Sequence, residues 1–392
     1  MRFILLTAVA AALTLCDAIK IPVHRRDVAI TKLDKRRIHH HVSGQHYRWP
    51  VPILGGSTFY ANISIGSDVY SYCSLDTGSP TTVIRKYHFG RNAKNLTTPY
   101  AQVYADFSVF FGYMYEDEVT LAGSGLTFDF KFAGAVYPGG PVADSVNGII
   151  GLSPQIEQDN FFSQTNGIKP GTYLNLMAQL KADKHIAADI ISMYFQPRDT
   201  SRTLGTDAGA LELGAINYAL HKSDIAYADM LGEWHNSATD SNIQYWACTV
   251  AIPSVGIEAS DPVASFTIID TGSTQLMLQK SAFSKWYNQI PGVFKDATFG
   301  IVAFPNSSLA HVPALDFVVD GVTFNLPASE LLLPASYVNE LMLDTKYTYS
   351  YVAETVLPTL NIFGCFFLER FAVILDGDKK RIGFAKTAYS PA

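Results

Sequence analysis

The chain has 392 residues, enough for two lobes with full cores. Hydrophobic residues make up 48% and charged residues 16%, which excludes a disordered chain. A formal net charge of −6 gives no electrostatic reason to expect a nucleic acid as partner.

Taken in order, Arg2 followed by the apolar run from Phe3 to Leu15 reads as a secretory signal, with cleavage near Ala18. The run is too short to span a bilayer comfortably, and the apolar tail from Ile362 to Leu375 is broken by Glu369 and Arg370, so stable membrane insertion is not expected. Residues 19–37 carry His24-Arg25-Arg26 and Lys35-Arg36-Arg37 ahead of an acidic remainder. Such a basic segment is expected to act as a propeptide that sits electrostatically in an acidic cleft and is cut after Arg37. The cluster His39-His40-His41 with His46 has no carboxylate or cysteine at ligand spacing and reads as an exposed tail, so no metal is expected.

Beyond Trp49-Pro50 the chain alternates in short apolar stretches with turn signals such as Gly139-Gly140 and Asp376-Gly377, and 21 Tyr and 24 Phe favour strands. The pattern predicts a mostly β protein with few helices: 171–185, and more weakly 281–289 and 327–333. An N-terminal lobe over 50–220 and a C-terminal lobe over 221–387 are expected. Removal of Cys16 with the signal leaves Cys73, Cys248 and Cys365, which read as small buried side chains with pairing undetermined. Asn95 and Asn306 lead glycosylation sequons; Asn62 leads another inside a strand-like run.

The strongest signal is a repeat. Asp76-Thr77-Gly78-Ser79 and Asp270-Thr271-Gly272-Ser273 each close an apolar strand-like run, about one domain's length of chain apart. A lone Asp-Thr-Gly is most simply an Asx turn. Two in matching contexts predict two related lobes, each bringing one carboxylate to a shared site. Paired carboxylates cannot both ionise freely, so one keeps a proton while the other stays charged. The charged one takes a proton from water and the protonated one donates to a carbonyl oxygen. Gly78 and Gly272 permit a tight turn, Ser79 and Ser273 orient the carboxylates, and Thr77 and Thr271 are placed to lock the two loops together.

With these motifs the chain resembles the pepsin-like aspartic proteases. Asn147-Gly148-Ile149-Ile150-Gly151 and Asn361-Ile362-Phe363-Gly364 resemble the hydrophobic-Gly segments that thread beside each catalytic loop in that family. The stretch from Tyr104 through Asp106 and Ser108 resembles its substrate-covering hairpin, with Tyr104 in the flap position. The likeness runs from about Phe59 to Lys386. It implies a bilobal fold, a protein or peptide substrate bound extended between the lobes and no cofactor. It also implies a monomeric endopeptidase, made as a zymogen, that is secreted or sent to a lysosome-like compartment. Acid optimum and cleavage near bulky apolar residues follow from the same likeness; Phe107, Val109, Phe110 and Phe111 at the flap fit this and equally fit hairpin packing. Three positions depart from the pattern: Val83 stands where a Trp usually supports the flap Tyr, Phe107 where a flap Gly is usual, and Cys365 where Asp usually follows Gly. These keep an alternative open, a pepsin-like peptide-binding protein with weak or no catalysis.

Overall fold

The computed structural model describes residues 18–27, 57–88, 90, 92–104, 108–121, 123–140, 146–197, 207–236, 241–296, 300–355, 357 and 359–391. The expected signal peptide up to Asp17, the Lys35-Arg36-Arg37 site, His39 to His41, Asp106 and Phe107 lie outside them.

The described residues are mostly β, in two lobes joined by one long sheet. Ten strands belong to the first half: β1 (Ile19–Asp27), β2 (Ser57–Ile65), β3 (Asp68–Asp76), β4 (Val83–Arg85), β5 (Lys94–Val103), β6 (Val109–Leu121), β7 (Leu126–Gly139), β8 (Gly148–Gly151), β9 (Ile190–Phe195) and β10 (Asp207–Leu213). They lie in the order β9-β10-β1-β2-β3-β8-β4-β7-β6-β5. Alternation explains them: along β7, Phe128, Phe130 and Phe132 are buried, while Thr127 and Asp129 are exposed and Lys131 is half-buried. The sheet continues past β9 into strands Phe371–Asp376, Arg381–Lys386 and Ala226–Asp229. The last strands of the chain thus complete the sheet that the first strands began.

A five-stranded sheet builds the core of the second lobe, in the order Ala247–Thr249, Phe266–Ile269, Asn361–Phe363, Leu276–Leu278, Val352–Glu354. Its centre repeats the first lobe. There, β3 runs parallel to β8, with Cys73 opposite Gly148 and Asp76 opposite Gly151. Here, Phe266–Ile269 runs parallel to Asn361–Phe363, with Ile269 opposite Phe363.

β1 departs from the electrostatic expectation. Residues 19–27 do not lie over the acidic residues of a cleft; they pair antiparallel with β10 on one side and with β2 on the other. Ile19, Ile21 and Val23 are buried, so the period-2 apolar pattern of this segment outweighs its positive charge.

Helices are few. Leu176–Ala182 falls inside the expected 171–185, its start set by Asn175, whose side chain accepts the Ala178 amide at 2.9 Å. Lys280–Tyr287 falls at the expected place, whereas 327–333 yields only a 3₁₀ turn at Ala328–Leu331. Helix Gln155–Asn166 was not anticipated. Its sequence is mostly polar; Gln158 and Phe162, one helical turn apart, are fully buried and Phe161 packs beside them. It starts after Pro154 and is stopped by Gly167 at φ 64°.

Candidate active site

Asp76 ends β3 and Asp270 follows the strand Phe266–Ile269, so the two related sheets aim their carboxylates at one point. The strands beside them fix the depth of each loop. The Leu152 amide donates to Asp76 O at 2.8 Å, and the Asp270 amide donates to Phe363 O at 3.1 Å. Each carboxylate then receives the same two local donors. Gly78 N and the Ser79 hydroxyl donate to the two oxygens of Asp76, the first at 2.8 Å. Gly272 N and Ser273 Oγ do so to Asp270, at 2.9 and 2.5 Å.

The glycines are required by the opposing lobe. A Cβ on Gly78 would lie 2.7 Å from Asp270 Oδ1, and one on Gly272 would lie 2.6 Å from Asp76 Oδ1. Each glycine therefore backs the other lobe's carboxylate, which explains why both loops carry one. Thr77 and Thr271 are buried between the loops and bond across the junction.

Asp76 is 7% exposed. Burial, and then the charge of Asp270 with which it also shares a hydrogen bond, push its carboxyl well above the usual range; the Ser79 and Gly78 donors oppose this. The pair therefore holds one proton more tightly than isolated carboxyls would. That leaves one acid and one base at the same point, the arrangement needed to activate a water and protonate a carbonyl oxygen together.

Tyr104 stands at the turn end of the β5–β6 hairpin, where its amide donates to Ser108 O at 2.8 Å. Ser108 is buried. The Tyr104 side chain reaches Ser79 and feels the charge of Asp76, so the hairpin and the carboxylate loop meet. Its ring stands edge-on to Phe110 at 5.7 Å. Of the apolar hairpin residues, Phe110 turns into the first-lobe core and Phe111 faces out beside Tyr137, as strand alternation demands. Phe110 is therefore packing and not a cleft wall.

Several residues at the site carry no isolated signal in the sequence. Tyr245 lies within electrostatic reach of Asp76, Asp270 and Glu157. Trp246 Nε1 donates to Leu152 O at 2.8 Å, directly tying the second lobe to the strand end beside Asp76. Glu157 accepts the Gln244 amide at 2.8 Å. Cys365, in place of the usual Asp, is buried with its Sγ donating to Thr271 O at 3.1 Å. Cys73 and Cys248 are likewise buried.

The sequence profile described as eukaryotic aspartyl protease matches residues 58–387. The chain belongs to the eukaryotic aspartyl protease family. By that membership it is an aspartic-type endopeptidase. Its relatives in the family are distant. Polyporopepsin of Irpex lacteus is 25% identical over 342 residues, covering 85% of this chain and 95% of the relative. Penicillopepsin-3 of Penicillium janthinellum is 24% identical over 346 residues, covering 86% and 78%. The crystal structure of the aspartic proteinase from Irpex lacteus matches with a TM-score of 0.73 at 22% identity, covering 96% of this chain and 99% of that one. At that identity the structural likeness concerns the fold.

Away from the site, Asn95 is exposed on β5 and its Oδ1 accepts the Thr97 amide at 2.7 Å. Asn306 is exposed too, with its side chain joined to Thr345 O and Thr348 Oγ1. Asn62, in β2, is half-buried and accepts the Tyr72 amide at 3.2 Å. Among the described residues no group of three His, Cys, Asp or Glu side chains is arranged to hold a metal ion. Among them, too, no helix is long and apolar enough to cross a membrane.

Proposed function

We propose that Asp76 and Asp270 jointly hydrolyse peptide bonds in a protein or peptide chain that lies extended between the lobes, beneath the hairpin of Tyr104. One observation carries this reading: the two carboxylates face each other, each held by a glycine amide and a serine hydroxyl of its own loop. The pair holds one proton. Its charged member takes a proton from a water, whose oxygen attacks the peptide carbon while the protonated member donates to the carbonyl oxygen. The tetrahedral adduct then collapses as the amide nitrogen is protonated and the C–N bond breaks. No covalent enzyme intermediate forms and no cofactor takes part. The proton is assigned to the pair and not to one residue. Gly78, Gly272, Thr77 and Thr271 shape the loops; Ser79 and Ser273 orient the carboxylates.

Burial and mutual repulsion keep one carboxyl protonated, so activity on the acid side of neutrality is proposed. The family likeness supports cleavage near bulky apolar residues. The apolar N-terminal run and the relatives named above support export from the cell. Maturation after Arg37 would cut the segment that carries β1 away from the rest of the chain. Sequencing the N-terminus of the exported protein checks this, and a start at Ile19 would exclude that cut.

The deciding experiment is cleavage of denatured haemoglobin between pH 2.5 and 7 by the wild type, Asp76→Asn and Asp270→Asn. The expected result is acid-favoured cleavage that both substitutions abolish. Cleavage that survives in Asp270→Asn would refute the shared mechanism.

A further inference from the structure

The chain holds three Asn-X-Ser/Thr triplets, and the fold treats them differently. Asn62 and Asn306 are engaged by the protein itself. Asn62 is half-buried in β2, which pairs with β1 on one side and β3 on the other, and its Oδ1 is taken by the Tyr72 amide at 3.2 Å. The Asn306 amide is held at both ends: Nδ2 donates to Thr345 O at 3.2 Å and Oδ1 accepts the Thr348 hydroxyl at 2.8 Å. The third residue of that triplet, Ser308, is 5% exposed, and its hydroxyl donates to Pro291 O at 2.8 Å.

Asn95 is turned outward instead. β5 is the last strand of the long sheet, with β6 on one side and, among the described residues, no strand on the other. Asn95 pairs with Tyr115 and Pro99 with Tyr113, so Leu96, Thr97 and Thr98 face the single Met114 of β6. This bulge is anchored from within. Leu96 packs against the cluster of Tyr100 and Phe162, and Thr98 Oγ1 lies 2.5 Å from the Tyr173 hydroxyl. Asn95 and Thr97 are left exposed. Thr97 takes a left-handed backbone at φ 60°, unusual for a β-branched residue, and its amide donates to Asn95 Oδ1 at 2.7 Å. Among the described residues nothing accepts a hydrogen bond from Asn95 Nδ2.

We propose that Asn95 is a modification site carrying an N-linked oligosaccharide, while Asn62 and Asn306 stay bare. The inference rests on the export reading, because the donor, an oligosaccharide on a polyprenyl pyrophosphate, is met in the secretory pathway. In the transfer, Asn95 Nδ2 forms a bond to the anomeric carbon. The bond from that carbon to the pyrophosphate oxygen breaks, polyprenyl pyrophosphate leaves, and Nδ2 gives one proton to a base of the transferase. A sugar tree at Asn95 projects beside an open sheet edge and displaces nothing. At Asn306 it would have to force the amide from Thr345 and Thr348, and at Asn62 it would have to enter between paired strands.

The test uses the full chain, expressed in a eukaryotic secretory host and collected from the medium. Digestion with a peptide N-glycosidase in heavy-oxygen water turns each glycan-bearing Asn into a heavy Asp, which peptide mass spectrometry locates. The mark is expected at Asn95 in most molecules and at neither Asn62 nor Asn306. Thr97→Ala keeps Asn95 and removes the hydroxyl that the transferase reads, so it is expected to lose the mark completely while still being exported. Exported protein with Asn95 unmarked overturns the proposal, and so does a mark at Asn62 or Asn306. Sequencing the N-terminus separates the two levels. A chain that keeps residues 1–18 and stays in the cell takes the export reading and this inference down together. A chain that reaches the medium without them, and with Asn95 unmodified, takes down this inference alone.

Discussion

Thr77 and Thr271 each serve as both donor and acceptor to the other's loop. Thr77 N donates to Thr271 Oγ1 at 2.9 Å and Thr271 N to Thr77 Oγ1 at 3.0 Å. The two hydroxyls in turn donate to Ile269 O and Leu75 O, at 2.8 and 2.7 Å. Neither carboxylate loop is held by its own lobe alone, and the separation of Asp76 from Asp270 is set by four hydrogen bonds in a dry junction.

Thr77→Val and Thr271→Val should therefore behave alike. Each keeps the shape of the side chain and leaves one amide and one carbonyl unpaired, at about 1–3 kcal/mol per group. Both variants are expected to lose roughly 2–6 kcal/mol in chemical denaturation and to lose activity with it. A neutral effect at either position would show that the junction is not what holds the loops.

Trp246 gives a second join between the halves. Trp246→Phe keeps most of the buried ring but orphans Leu152 O, beside the end of β8. The expected loss is about 1–3 kcal/mol in urea unfolding, with a lower kcat because Leu152 N also fixes Asp76 O. A variant as stable and as fast as the wild type would remove Trp246 from this account.

Glu157 makes the join between the halves pH-sensitive. Burial pushes its carboxyl up to about 7, partly countered by the Gln244 amide and reinforced by the charge of Glu233. Its folded-state value thus lies above its unfolded one, so the protonated form favours folding. That stability is complete below about 4.5 and fades as pH rises through about 7. Asp189, pushed by burial up to about 6, acts in the same direction. Unfolding free energy is expected to fall between pH 4.5 and 7 in the wild type, and to fall less in Glu157→Gln, which keeps the acceptor for Gln244. Urea melts at the two pH values decide it; identical slopes for the two proteins would count against the assignment.

Burial pushes the thiols of Cys73 and Cys248 up to about 12, and Cys365 is as deeply buried. At neutral pH a thiolate-seeking reagent should label none of the three in the native protein, and peptide cleavage should be insensitive to it. Mass mapping after native and denatured labelling reads this directly. Labelling of Cys365 in the native state, with loss of activity, would show that the core beside Thr271 opens.

Much of the site was legible because it is local. The carboxylates of Asp76 and Asp270 take their glycine and serine donors from their own loops, so residue type and spacing carry that part of the geometry. The parallel threading of Gly148–Gly151 and Asn361–Phe363 was legible only through family resemblance, because a parallel pairing has no turn to mark it. Helix Gln155–Asn166 was not legible. Only two of its residues are buried, and one of them is Gln158, too little for a periodic apolar signal.

The sequence by itself determined two strand-ending carboxylates with their own donors, since strand alternation and a glycine turn act over a few residues. Only the tertiary structure decided how they meet. Gly78 must lack a Cβ because of Asp270, Trp246 donates to Leu152 O from the other lobe, and β1 joins the sheet between β10 and β2. Each is a contact between segments distant in the chain, and no local pattern encodes the distance between two such segments.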